Sequence, residues 1–145
     1  MKKNRRIGIL FATLVAVLLM IPFTVQVHAE PSISGMGAFQ LRGTPGTRVV
    51  ENFQVLFRET HFRNLTRNMN ISSWFENLPK GLEAHALNYE DRGVRLLTIQ
   101  IYGTPEEPCV DRIKLKIPAE HTECGKELVL NDPNVVFLIG ARIQY

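Results

Sequence analysis

The side chains of this 145-residue chain that could attack, ligate or shuttle protons are few: two cysteines, four histidines and some paired carboxylates. Nucleophilic catalysis needs a nucleophile held by a base beside an oxyanion site. No G-x-S-x-G elbow occurs, and neither Cys109 nor Cys124 lies in a catalytic signature. His121-Thr122-Glu123-Cys124 gathers three metal-ligand types, but the spacing is not that of a zinc site, and His61 and His85 are isolated in sequence. Glu90-Asp91 and Glu106-Glu107 flank turn residues, where a solvated loop charge is the expected role. There is no glycine-rich phosphate loop either. The sequence therefore predicts no catalytic residue, no cofactor and no metal.

Binding is the remaining chemistry. Residues 58–70 carry Arg58, His61, Arg63 and Arg67 around Phe62, a set suited to an acidic or glycan partner. Residues 102–109 carry Tyr102, Glu106 and Glu107. Both are read as loops at the end of a rigid scaffold, where contacts vary without disturbing the core. Phe62 itself is expected to tuck into that core.

The amino terminus says where such a module works. Met1 to Arg6 is basic, residues 7–21 form an uncharged apolar run, Pro22 interrupts it, and Val27-His28-Ala29 offers small residues at a cleavage site. This is the pattern of a secretory signal peptide over residues 1–29, with an uncleaved membrane anchor as the alternative. A short basic leader of this kind looks bacterial, so the N-x-S/T triplets at Asn64 and Asn70 are read as chance matches. The membrane enters only through this segment before cleavage, and the product is expected to be secreted or at the cell surface. Four of the 17 basic residues lie in the leader; the 13 that remain face 14 acids, for a formal charge of −1. Such a module lacks the electrostatic footprint of a nucleic-acid binder. Export also permits a disulfide between Cys109 and Cys124, worth about 3 kcal/mol for a loop of about 15 residues, if residues 118–123 double back along a strand.

The elements that position these residues repeat every two positions. Phe53, Val55 and Phe57 alternate with Gln54, Leu56 and Arg58; Leu97, Ile99 and Ile101 with Thr98, Gln100 and Tyr102; Ile113, Leu115 and Ile117 with Arg112, Lys114 and Lys116. Alternation at this period describes strands with one buried face. Further strands are read at residues 32–34, 82–87, 128–130 and 135–139, with Pro- and Gly-bearing turns between them. One sheet cannot hide so many apolar faces, whereas two stacked sheets can. About seven short strands predict an all-β Greek-key sandwich over residues 46–145, after an arm or short strand at 30–45. Only a short helical or 3₁₀ turn is expected, at residues 69–76.

Ser73-Trp74-Phe75-Glu76-Asn77-Leu78-Pro79-Lys80-Gly81-Leu82-Glu83-Ala84, followed by Gly103-Thr104-Pro105 and Ile117-Pro118, resembles an immunoglobulin-like repeat module of bacterial exported and cell-surface proteins. The likeness runs from about Gly46 to Ile139. It implies an immunoglobulin-like sandwich in which Trp74, Phe75, Leu78, Pro79, Gly81, Leu82, Gly103, Pro105 and Pro118 are structural. One of Trp74 and Phe75 is expected to plug the sandwich end, with an exposed platform for sugar rings as the rival role. The likeness also implies an adhesive, spacer or ligand-presenting role rather than an enzyme. Such modules commonly come in arrays, while one copy is visible here, so binding is favoured over spacing. The expectation is an exported adhesion or binding module for a protein or glycan ligand. The alternatives are a soluble inhibitor of an extracellular enzyme such as a protease, and a structural subunit of a surface assembly.

Overall fold

A computed structural model describes residues 26–140. The basic and apolar parts of the expected signal peptide, residues 1–21, lie outside the described residues. No helix among the described residues is long and apolar enough to cross a membrane.

The described chain is all-β. Its strands are β1 (Ser32–Gly35), β2 (Phe39–Gly43), β3 (Val49–Arg58), β4 (Met69–Asn70), β5 (Leu82–Asp91), β6 (Arg95–Gly103), β7 (Cys109–Arg112), β8 (Lys116–Ile117), β9 (Leu128–Val129) and β10 (Val135–Ile139). Two 3₁₀ turns, Ser72–Trp74 and Ala119–His121, are the only helical segments among the described residues, the first within the stretch expected to turn. β1, β3, β6, β5 and β4 form one antiparallel sheet in that order. β2, β10 and β7 form a second, with β2 parallel to β10, and β8 pairs with β9. Residues 30–45 thus supply one strand to each large sheet.

The alternation seen in sequence sets which side chains meet. Phe53, Val55 and Phe57 of β3, Leu97, Ile99 and Ile101 of β6, Ala84 and Ala86 of β5, and Val135, Phe137 and Ile139 of β10 are all buried in one cluster. Burying faces of this kind from both sheets is what holds a sandwich together, at roughly 1.5–3 kcal/mol for each large aliphatic or aromatic side chain removed from water. A bulge in β5 between Ala86 and Asn88 resets the alternation. It places Asn88 opposite Thr98 and Tyr89 opposite Leu97, so that Tyr89 joins Phe57 and Phe62 at 5.7 Å from each ring.

The run Ile113, Leu115, Ile117 is buried as expected, but it is not one strand. β7 leaves β10 at Arg112; Leu115 bridges to Phe75, and Lys116 begins the ladder with β9. Asn77 makes this break possible. Its amide donates to the Arg112 carbonyl at 2.6 Å and to the Asp111 carboxylate at 2.9 Å, and its oxygen accepts from the Lys114 N–H at 2.9 Å. One side chain replaces a strand partner where the backbone changes sheets.

The residues of the Ser73–Ala84 motif and the Gly103-Thr104-Pro105 turn meet at one end of the sandwich. Gly81 and Gly103 sit back to back, the Thr104 N–H donating to the Gly81 carbonyl at 3.0 Å, and the Gly46 N–H donating to the Pro105 carbonyl at 2.9 Å. Both glycines have positive φ, 89° and 133°, and a Cβ on either would fall on the backbone of the other's segment. Leu82 and Pro79 are buried beside them, and Leu78 packs on the core. Pro118 caps the second 3₁₀ turn with an extended ψ of 150°.

Candidate functional site

The two loop groups singled out in sequence lie at opposite ends of the sandwich. β3 begins at Val49, paired with Gly103, and ends at Arg58, paired with Ser32. Ten residues of strand, about 30 Å at roughly 3.3 Å per residue, therefore separate Tyr102, Glu106 and Glu107 from Arg58, His61, Arg63 and Arg67; Tyr102 and Arg58, expected in loops, are strand residues of β6 and β3. The two groups cannot form one site.

At the far end, His61 is a brace. Its Nδ1 lies 2.8 Å from Asp91 and its Nε2 3.7 Å from Glu123, while Arg95 reaches Asp91 at 3.7 Å. Phe62 is buried, as expected. It stacks on His121 at 5.7 Å and meets Trp74 at 6.0 Å. Trp74 and Phe75 are 8% and 7% exposed, so both aromatics of the motif are core residues. Arg58 and Arg67 are exposed, and the Arg63 guanidinium donates to the Glu120 carbonyl at 3.3 Å. At the near end, Glu106 is held by Lys80 at 2.6 Å and Glu107 is exposed.

Cys109 and Cys124 are free thiols, which corrects the disulfide expected between them. Cys109 pairs with Ile139 near Pro108 and Gly140, at the near end; the Cys124 N–H donates to Thr60 Oγ1 at 3.1 Å, at the far end. A bridge needs Cα atoms within about 7 Å. The loop after Ile117 does not fold back along β7, because it turns at Pro118 and docks on residues 60–63, where the Glu123 N–H donates to the His61 carbonyl at 2.8 Å. The two thiols differ in character. Burial, then the Asp111 charge, pushes the Cys109 pKa up. At Cys124 burial also acts upward, but hydrogen bonding with Thr122, Thr60 and the local backbone outweighs it and holds the pKa below the ordinary thiol value. Unreduced protein alkylated in denaturant should gain two adducts by mass, and under native conditions Cys124 should react first. A protein that takes up no alkylating reagent before reduction would contradict this arrangement.

What the loops lack, the outer face of the five-stranded sheet supplies. Registers Val50↔Tyr102, Asn52↔Gln100 and Gln54↔Thr98 join β3 to β6, and Glu83↔Tyr102 and His85↔Gln100 join β6 to β5. Alternation places Asn52, Gln54, Thr98, Gln100, Tyr102, Glu83 and His85 together on the side opposite the core. The Tyr102 hydroxyl donates to Glu83 at 2.9 Å, and its oxygen lies 3.1 Å from His85 Nε2. The hydrogen bond to Glu83 raises the Tyr102 pKa, so the phenol stays protonated. Gln54 reaches the Thr98 hydroxyl at 3.5 Å. Glu83 is the one carboxylate in this array; Arg58 and Glu90 lie on the same face nearer its far end, and Arg48 lies close enough to Tyr102 to act on it by charge.

Sequence reasoning names Tyr102 alone from this group. Gln54, Thr98 and Gln100 read in sequence only as the wet side of their strands. The signal that finds the face is the run of uncharged polar pairs at its centre, Asn52↔Gln100 and Gln54↔Thr98, since solvated surfaces are normally rich in Lys, Glu, Arg and Asp. Compared with protein-family models, with curated proteins and with solved structures, the chain matches none.

Proposed function

We propose that the chain is an exported, non-catalytic binding module, an immunoglobulin-like Greek-key sandwich that meets a cell-surface or extracellular ligand with the outer face of its five-stranded sheet. The Greek-key reading is supported by strand order: β4, β5 and β6 follow one another, and β3 returns by a long connection to lie beside β6. Export is supported by the leader-like pattern of residues 1–29.

The observation that carries the binding role is the polar array of Asn52, Gln54, Thr98, Gln100, His85 and Tyr102, with Glu83 its one carboxylate, on the two long ladders that join β3, β6 and β5. Amides, a phenol and an imidazole donate and accept hydrogen bonds without demanding a counter-charge. Fixed on paired strands, they lose little freedom on binding, which favours affinity.

Protein exported and purified from cells expressing the full chain should bind isolated cell-envelope material saturably. A Gln100→Ala/Tyr102→Ala double variant should bind at least about tenfold more weakly, since each lost hydrogen bond is worth about 1 kcal/mol. Arg63→Ala/Arg67→Ala should bind as the parent does. Equal binding by the face variant and the parent would refute the assignment.

A further inference from the structure

We infer that the cleft at the β1 margin of this face is a subsite for a neutral, hydroxyl-rich ligand, the sugar ring of a glycan; the inference rests on the face being the binding surface. The cleft has a volume of about 370 Å³, and Gly35, Gly37, Phe39, Asn52, Gln54 and Thr98 are among its lining residues. That size falls within the roughly 300–1,000 Å³ typical of small-molecule sites.

Its chemistry selects the ligand. Not one lining side chain carries a charge. A phosphate or a carboxylate would enter without a counter-ion, with the Asp132 carboxylate beside Gly35, and would keep its desolvation cost. The amides of Asn52 and Gln54 offer donors and acceptors side by side, and the Thr98 hydroxyl offers both, which matches neighbouring hydroxyls on a ring. Phe39, half-buried and stacked at 4.9 Å on the buried ring of Phe53, supplies the apolar surface for a sugar's C–H face.

The shape of the edge argues for a compact ligand over an extended peptide. β1 pairs with β3 only as far as Gly35↔Val55, and the Met36 N–H closes the ladder on the Gln54 carbonyl at 2.9 Å. Beyond that point β3 has a free edge, but at its start Gly43 is packed so closely on Val49 that a Cβ there would lie 2.8 Å from the Val49 side chain. About four residues of edge remain, near 13 Å at about 3.3 Å per residue, less than an ordinary strand of five or six. The lip is made of small residues, Gly35, Gly37 and Ala38, with Met36 55% exposed above it.

Calorimetric and NMR titrations of the exported protein with cellobiose, chitobiose, maltose and xylobiose test this, with sialic acid and an extended valine–threonine peptide as comparators. At least one neutral disaccharide should bind and shift the amides of Gly35, Gly37, Asn52, Gln54 and Thr98. Asn52→Ala and Gln54→Ala should each weaken it about fivefold with an unchanged melting temperature. The inference is overturned if none of the four sugars binds, if sialic acid or the peptide binds at this cleft in their place, or if the two variants bind sugar as the parent does. Any of these alongside envelope binding that still depends on Gln100 and Tyr102 sinks the cleft alone. Envelope binding indifferent to Gln100 and Tyr102 sinks the wider reading as well.

Discussion

Gly81→Ala should destabilise the protein by about 3 kcal/mol, whereas Gly46→Ala should cost only about 1 kcal/mol. Both glycines have positive φ, 89° and 81°, so both alanines suffer the left-handed backbone penalty. They differ in what a Cβ meets. At Gly46 it would enter open space; at Gly81 it would overlap the Thr104 carbonyl oxygen and crowd Glu106. The backbone cannot yield there without breaking the bonds that join this turn to the next, Thr104 N–H to the Gly81 carbonyl and Glu106 N–H to the Lys80 carbonyl, both 3.0 Å. Urea midpoints of the two variants measure the difference directly. Equal losses would mean that the two turns do not touch as described.

Trp74→Ala is expected to cost about 3–5 kcal/mol, the range for emptying an aromatic site in a core, and to leave little folded protein if the parent is marginal. Trp74 closes the far end of the sandwich between Phe62 and the His121 ring, whose centroid lies 4.9 Å away. Removing it exposes Phe62 and frees the 3₁₀ turn that carries His121. Trp74→Phe fills much of the same space and should retain most of the stability. Thermal melting of both variants distinguishes this from the platform role, in which Trp74→Ala would weaken glycan binding and leave the melt unchanged.

The strands are legible in the sequence because the core is built from them at period two. Phe53, Val55, Phe57, Leu97, Ile99, Ile101, Phe137 and Ile139 are where alternation puts them, and both large sheets follow. Alternation does not say which partner a strand has. Ile113, Leu115 and Ile117 keep the rhythm of a single strand while the backbone passes from β10 to Phe75 to β9, and the agent of that change, Asn77, is distant in sequence. The disulfide expectation fails for the same reason, since only the docking of residues 119–123 on residues 60–63 shows that Cys124 ends up far from Cys109.

The binding surface is less legible than the fold. Arginines in a loop announce themselves in a sequence, but that signal puts Arg58 and Tyr102 at one scaffold end, whereas they lie at two. The face of Asn52, Gln54, Thr98 and Gln100 is assembled from alternate positions on separate strands, so no contiguous motif encodes it. It emerges only when the register of β3 against β6 is known.

The most direct measurement of the central claim is an amide chemical-shift map of the purified protein titrated with its host's isolated envelope polysaccharide. Shifts should cluster on residues 50–54, 83–85 and 98–102, the three strands that build the proposed face, and saturate together. Shifts confined to residues 58–70 or 104–107 would place recognition in the loops and contradict a sheet-borne binding surface.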